Sequence, residues 1–260
     1  LGFDAVATGH YARIERSGDT VSLYRSPEPA KDQSYVLGVL DADQLRHSLF
    51  PLGADTAKAE VRAEAAARGL LVARKPDSHD ICFIPTGDTA GFLRSRLGSQ
   101  VGDIVDETGD VVGAHSGYQQ FTVGQRHGLH LSVPAADGRP RYVLRIDPVA
   151  NTVQVGPRER LAVQTIEAIR PTWTEGFVAG AWRGLVQVRA HGEAMPATIH
   201  VVTIPEELSE ERGKRHEGPP PACVRIVLDQ PALGIAPGQA AVYYDGDRVV
   251  GSATISATAA

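Results

Sequence analysis

The alternation of apolar and polar positions predicts short strands at the start of the chain. FDAVATG is an apolar run that ends at Gly9, and we expect it to be a buried strand. Apolar and polar residues then alternate on both sides of Ser17-Gly18-Asp19, which is typical of a β-hairpin.

Helical patterns follow this hairpin. Residues 30–45 carry apolar positions at helical spacing, and residues 55–69 are rich in Ala and Glu. Asp55 or Thr56 can cap the second of these helices, and Gly69 ends it. A further short helix is predicted for TAGFLRSRLG, closed by Gly98.

From Gly98 onward the pattern changes to short strands separated by Gly and Asn turns. No helix is evident before Leu161, which indicates a small β-rich domain. After it, alternation and tight turns such as Asp245-Gly246 favour a β-barrel. The polar, Pro-rich stretch 205–221 is either a solvated loop or a flexible arm that contacts RNA.

Composition narrows the functional classes. The formal net charge of −5 gives no global attraction to nucleic acid, so a polyanion partner would need local basic or hydrogen-bonding patches. The two cysteines are too few for a disulfide scaffold or a cysteine-rich zinc module, and they indicate a reducing cytoplasm. No apolar run is long enough to span a bilayer, and the first residues are not a signal peptide.

Cys82, in RKPDSHDICFIPTGD, is the first residue with possible chemistry. Free cysteine is often a buried, inert hydrophobe. The Pro- and Gly-containing flanks favour a loop instead, and loops often carry functional residues. His79 would lower the thiol pKa and Asp80 would raise it, so local charge leaves both interpretations open. A zinc site lacks a second ligand pair.

The other candidate positions also have ordinary structural interpretations. Gly9 and His10 follow the first strand, where α/β sheets bind ligands, although His10 can also be an interfacial histidine. Lys31, Asp32 and Gln33 suit an ordinary polar first turn of a helix. Gln239 suits a turn into a strand. Cys223 alternates with apolar residues, and we expect it to pack inside the barrel.

The order of these motifs resembles the bacterial tRNA-specific 2-thiouridylase family, a member of the PP-loop ATP pyrophosphatases. The motifs are ATGHYAR, KDQSYVL, PLGADTAKAEVRAEAAARGL, KPDSHDICFIPTGD, FTVGQRHGL, YVLRIDPVANTVQVGP and PGQAAVYYDGDRVVGSATI. The resemblance implies an α/β fold: the C-terminal part of a PP-loop domain (1–97), a small mostly β central domain (98–161) and a C-terminal β-barrel (162–260).

The resemblance also implies an activity, which is replacement of the 2-oxygen of tRNA uridine 34 by sulfur. The family adenylates that oxygen with ATP and Mg²⁺, and a cysteine persulfide, loaded by a sulfur-relay protein or a cysteine desulfurase, delivers sulfur. A second, upstream cysteine takes part and forms a disulfide with the first. We expect a cytoplasmic monomer without membrane association.

Site residues follow from the same resemblance. Cys82 matches the persulfide cysteine, and Gly9 matches a glycine that contacts ATP. The matches to tRNA-contacting positions are His10, Lys31, Asp32, Gln33, Arg189, Ala190 and Gln239. Ala190 stands where the family often has tyrosine, so base stacking is lost at that position, while Arg189 still suits a phosphate.

The family's Ser-Gly-Gly-Val-Asp-Ser phosphate loop and its first catalytic cysteine are expected upstream of Leu1. Without that loop this segment is expected to bind ATP poorly. Two alternatives therefore remain open at this stage. The chain can be a non-catalytic RNA-binding module, or it can belong to a PP-loop enzyme with another substrate.

Overall fold

The computed structural model describes residues 2–53, 58–74, 88–133, 135, 137–203 and 222–260. The α-helices are α1 Ser34–Leu37, α2 Ala42–Arg46, α3 Lys58–Ala67 and α4 Thr89–Leu97. The strands are β1 Val6–Ala7, β2 Arg13–Ser17, β3 Thr20–Tyr24, β4 Ser48–Leu49, β5 Gly102–Val105, β6 Val111–His115, β7 Tyr142–Asp147, β8 Thr152–Gly156, β9 Ala162–Trp173, β10 Gly180–Gln187, β11 Met195–Thr203, β12 Ala222–Leu233, β13 Ala240–Asp245 and β14 Arg248–Ala259.

The chain forms two compact units, and each combines separate stretches of sequence. The first contains Leu1–Lys75, Gln164–Gln230 and Pro237–Ala260. The second contains Pro76–Val163 and Pro231–Ala236. The three domains expected at 1–97, 98–161 and 162–260 stay a prediction.

Six strands of the first unit close into a barrel. Their order is β13-β10-β11-β12-β9-β14, and β14 pairs back onto β13. β3 and β2 extend the same sheet from β14 as an antiparallel hairpin. Separately, β1 and β4 pair in parallel. The expected α/β class with a C-terminal β-barrel is therefore confirmed.

The barrel interior follows the two-residue period of its strands. On β12, Val224, Ile226 and Leu228 are fully or almost fully buried, and each buried aliphatic side chain contributes about 1.5–3 kcal/mol. Cys223 belongs to the opposite face and is half-buried, with its Sγ 3.8 Å from the carbonyl oxygen of Val202. The expectation that Cys223 packs inside the barrel was wrong, because the neighbouring residues and not the cysteine occupy the inward positions.

β13 is buried on both of its faces. Tyr243 contacts the rings of Trp173 and Trp182 at centroid distances of 6.2 and 6.3 Å. Val242 and Tyr244 belong to a second buried cluster with Ala12, Val21, Leu23, Leu37, Leu45 and Val249. The alternation of the strand thus joins the barrel to the N-terminal hairpin and helices.

The predicted helix over residues 30–45 is two short helices. α1 ends at Gly38, where an added Cβ would lie 2.6 Å from a methyl group of Val242. α2 begins at Asp41, whose carboxylate accepts from the Gln44 amide at 2.8 Å while the Gln44 side chain accepts from the Asp41 amide at 3.0 Å. This reciprocal cap starts a new helix and so interrupts the predicted one.

Several local predictions agree with the structure. α3 and α4 end at Gly69 and Gly98, whose φ angles are +68° and +77°. The first hairpin turns at Gly18 and the last at Gly246, with φ angles of +57° and +59°. Each of these four glycines has the left-handed backbone that other residues adopt at a cost.

The strand predicted at residues 3–9 differs from expectation in burial. β1 has two residues, and Val6 is 64% exposed. Among the described residues β1 pairs with β4 alone, and both of its residues are exposed, so the expected burial was wrong.

The second unit contains a four-stranded sheet in the order β6-β5-β8-β7. Its core consists of Ile104, Leu129, Val143, Val153 and Val155. In the described residues 98–160 the helical segments are short 3-10 turns, in agreement with the β-rich character predicted there. No helix in the described part of the chain is long and apolar enough to cross a membrane.

Two neighbouring tyrosines are expected to respond differently to loss of the hydroxyl group. The Tyr243 hydroxyl is buried and has no hydrogen-bond partner among the described residues, whereas that of Tyr244 lies 3.2 Å from Ser34 Oγ. Tyr243→Phe should leave the free energy of unfolding unchanged or raise it by about 1 kcal/mol, and Tyr244→Phe should lower it by about 1 kcal/mol. Urea unfolding measures both, and the reverse ranking would contradict the assignment.

Alkaline pH is expected to destabilise the first unit. Burial raises the pKa of Tyr244 to about 12 and that of Tyr243 still further. The folded chain keeps both phenols protonated while the unfolded chain ionises them near pH 10. Stability should therefore be intact below about pH 10 and fall as pH rises toward about 12. Urea titrations across this range should show a smaller fall in Tyr243→Phe than in the wild type.

Candidate nucleotide and RNA site

Gly9 and His10 lie just after the carboxyl end of β1. The Thr8 amide donates to the Leu49 carbonyl at 3.0 Å, which holds the segment against β4. Thr8 Oγ1 lies 2.9 Å from His10 Nδ1, and the His10 ring meets Phe50 edge-on at 6.1 Å. His10 is therefore held by a hydroxyl and an aromatic ring.

Gly9 is exposed, and its own surroundings do not require glycine. A Cβ at this position would meet Leu52 Cδ1 at 3.6 Å, an ordinary contact distance. By contrast, a Cβ on Gly53 would overlap the carbonyl oxygen of Ala12. Gly53 is thus needed for packing, whereas an exposed backbone at Gly9 suits close approach by a ligand.

Gln33 brings the segment after β1 next to the start of α1. Its side-chain Oε1 accepts from the Tyr11 backbone amide at 2.9 Å, and its backbone amide donates to the Tyr11 carbonyl at 2.8 Å. Two hydrogen bonds in opposite directions fix the spacing of these segments. The predicted positions 9–10 and 31–33 are therefore adjacent in the fold.

The Asp32 carboxylate is satisfied inside the protein. Oδ1 accepts from the amides of Ser26 at 2.9 Å and Ser34 at 3.1 Å. Oδ2 accepts from Ser34 Oγ at 2.8 Å and from Arg25 Nη1 at 3.3 Å. The side chain is 8% exposed. These hydrogen bonds let Asp32 stabilise the turn. Lys31 is half-buried and ends the 3-10 helix just before Asp32, so the same turn fixes the position of its backbone.

Arg189 and Ala190 are exposed in the turn after β10. The Gln187 side-chain amide donates to their carbonyl oxygens at 2.9 and 3.3 Å. The Gln187 Oε1 in turn accepts from Arg25 Nη2 at 3.2 Å. A continuous polar connection therefore runs from Asp32 through Arg25 and Gln187 to the 189–190 turn.

Gln239 lies in the turn before β13. Its carbonyl accepts from the Ile255 amide at 2.8 Å, and its side-chain Oε1 is buried without a hydrogen-bond partner among the described residues. The adjacent Ala240 carbonyl accepts from the Tyr35 hydroxyl at 3.0 Å, which places Gln239 beside α1. Every described candidate residue therefore lies in the first unit.

Two parts of the expected site lie outside the residues that the structure describes. Cys82 lies outside the described residues, as does the stretch 205–221. In the described ranges Cys223 is a free thiol, and no group of His, Cys, Asp and Glu there is arranged to hold a metal ion.

Sequence reasoning did not identify Arg25 and Gln187. Arg25 follows β3 as one of many arginines in the chain, and Gln187 ends an ordinary barrel strand. A charged residue directly after an alternating strand was the available signal for Arg25. A groove of about 450 Å³ between β2 and residues 48–51 was also not predicted, and its wall includes Phe50, which contacts His10.

The chain is similar in sequence to known protein families and to individual proteins. Residues 1–86 match the model of the tRNA methyl transferase HUP domain, residues 90–157 match the tRNA methyl transferase PRC-barrel domain, and residues 219–255 match the aminomethyltransferase beta-barrel domain. The chain is 56% identical over 258 residues to the tRNA-specific 2-thiouridylase MnmA of Cutibacterium acnes, covering 99% of this chain and 65% of that protein. It is 58% identical over 264 residues to that of a Nocardioides species, covering 99% and 67%.

The chain belongs to the tRNA-specific 2-thiouridylase family. The identity extends over nearly the whole chain, so it includes both structural units. The chain spans about two thirds of the length of the 2-thiouridylases it matches.

Alanine substitutions at Gly9 and Gly53 should have different effects on the free energy of unfolding. Gly9→Ala should leave the free energy of unfolding unchanged or raise it by about 0.4–1 kcal/mol, since its Cβ has room and alanine restricts the unfolded chain. Gly53→Ala should lower it by more than about 2 kcal/mol, because the new Cβ displaces the backbone of Ala12. Urea unfolding of the two variants checks this, and equal destabilisation would contradict it.

Proposed function

We propose that the chain is part of a tRNA-uridine 2-sulfurtransferase that thiolates uridine 34 in an ATP-dependent reaction. The observation that carries the proposal is the identity above 50% over 99% of the chain to relatives named tRNA-specific 2-thiouridylase. The hydrogen bonds that group the candidate residues in one unit are compatible with it.

In this proposal tRNA binds along the first unit. His10, Lys31, Gln33, Arg189 and Gln239 contact the RNA, while Ala190 offers backbone atoms. Asp32 contributes by holding the 31–33 turn, because its carboxylate is already occupied. Local placement of basic and amide groups is how a chain with a net charge of −5 would bind a polyanion.

ATP would supply activation of the uridine 2-oxygen as a leaving group. Gly9 fits such a ligand, since its backbone is exposed and has space where a side chain would be. It would allow ATP to approach at the end of β1. The described residues suggest no donor set for Mg²⁺.

Cys82 would carry sulfur as a persulfide, supplied by a sulfur-relay protein or a cysteine desulfurase. The deprotonated outer sulfur of the persulfide would attack C2 of the base, and adenosine monophosphate would leave with the former 2-oxygen. The second cysteine that the family resemblance implies would then attack the Cys82 sulfur, so that the S–S bond breaks, the outer sulfur stays on the base and the two cysteines become a disulfide. We also propose a cytoplasmic location and a monomeric state, as expected for an enzyme that meets tRNA in solution.

A pair of cysteine variants of the full-length protein tests the catalytic assignment. Cys82→Ser should abolish 2-thiolation, since serine cannot hold a sulfane sulfur, while the tRNA dissociation constant stays within about twofold. Mercury-containing gels detect the thiolated tRNA, and filter binding gives the affinity.

Cys223→Ser is the matched control, because Cys223 is a half-buried thiol on the outer face of β12. It should leave both thiolation and binding unchanged. Thiolation that persists in Cys82→Ser would overturn the persulfide role. Wild-type tRNA binding without ATP–pyrophosphate exchange or thiolation would instead favour the RNA-binding module.

A further inference from the structure

Arg25 occupies the space between two segments that are predicted to contact tRNA. It directly follows β3, and its backbone amide donates to the Asp247 carbonyl at 2.9 Å. The residue is therefore anchored to the last barrel hairpin before its side chain makes any contact. Neither Arg25 nor its partner Gln187 was among the residues predicted from the sequence.

The Arg25 guanidinium makes three different interactions. Nη1 donates to Asp32 Oδ2 at 3.3 Å, and Nη2 donates to Gln187 Oε1 at 3.2 Å. The guanidinium carbon lies 3.7 Å from the centre of the Tyr244 ring. The group is thus stacked on an aromatic face while its two ends point to two different elements.

Gln187 connects Arg25 to the turn at residues 189–190. The residue is 4% exposed, and its side-chain nitrogen donates to the carbonyls of Arg189 and Ala190. Because an amide both accepts and donates, Gln187 can receive from Arg25 and hold the turn at once. Removing either partner breaks the connection.

Arginine suits this position better than lysine. A planar guanidinium can stack on a ring and donate in two directions, whereas a lysine ammonium is a single point of charge. The Arg25 side chain is 22% exposed and that of Asp32 is 8% exposed, so the pair is shielded from the solvent that weakens surface ion pairs. The geometry is therefore more rigid than that of an exposed salt bridge.

We propose that Arg25 is a positioning residue for RNA binding, which fixes the 31–33 turn and the 189–190 turn relative to each other through Asp32 and Gln187. Its guanidinium is used inside the protein, so it does not contact phosphate itself. This inference rests on the proposed tRNA-binding function and adds a residue to it.

The test compares tRNA affinity and its salt dependence in the full-length protein. Arg25→Gln should raise the dissociation constant for a uridine-34 tRNA transcript about fivefold, since the turns are no longer held together. The slope of log affinity against log salt should stay at the wild-type value. Loss of a direct phosphate contact would lower that slope by about 0.7–0.9.

Gln187→Met is a second variant that breaks the same connection without changing charge. It should give a similar increase in the dissociation constant, and the double variant should be no weaker than either single variant, because both remove one linkage. Amide hydrogen exchange should become faster at residues 188–192 in both variants. This variant also keeps the test valid if Arg25→Gln does not fold.

Arg248→Gln is the matched control. Arg248 is 35% exposed and forms ion pairs with Glu175 and Asp245 in the same unit, outside the connection. Its tRNA affinity should stay within about twofold of the wild type.

Three results would overturn the inference. The first is unchanged affinity in Arg25→Gln and Gln187→Met. The second is a lower salt slope in Arg25→Gln together with normal binding by Gln187→Met, which would make Arg25 a direct phosphate contact. The third is a wild type that does not bind tRNA, which would reject the proposed function and this inference together.

Discussion

The first unit depends on one strand that has no solvent-facing side. β13 places Tyr243 among the aromatic rings of the barrel and Val242 and Tyr244 against the N-terminal hairpin and helices. A strand buried on both faces joins two apolar layers that would otherwise each expose a surface. The candidate residues near the start of the chain and those in the barrel share one rigid support for this reason.

Hydrogen bonds between polar side chains beside β13 orient the turns that the apolar contacts hold together. Apolar burial is non-directional and alone does not fix how a turn is oriented. Asp32, Arg25 and Gln187 supply hydrogen bonds with defined geometry, and the Arg25 guanidinium stacks on the Tyr244 ring of the apolar cluster. Burial thus holds the segments together, while the charged and amide groups set their register.

Local sequence signals predicted the elements that local physics determines. Gly18, Gly69, Gly98 and Gly246 mark turns and helix ends because their backbone conformations favour glycine in any tertiary context. The barrel followed from alternation and spacing. The break after α1 was missed although its signal is local, because Asp41 and Gln44 form the reciprocal cap that starts α2. Cys223 was misplaced although the two-residue period puts it on the same face as the exposed Arg225 and opposite the buried Val224. The site residues came from family resemblance. The Arg25–Gln187 hydrogen bond joins residues 162 positions apart, so no local pattern predicts the pair.

The discontinuous first unit also has a consequence for synthesis on the ribosome. Leu23, Leu37 and Leu45 are translated long before their partners Val242 and Tyr244, which belong to the β13–β14 hairpin. Their apolar surfaces therefore stay uncovered until β13 and β14 leave the ribosome. Contacts of such long sequence separation form slowly, so these leucines stay open to aggregation and to chaperones until β13 and β14 have been made. A ribosome that stops before the last hairpin would release a chain with an open barrel and an uncovered N-terminal layer.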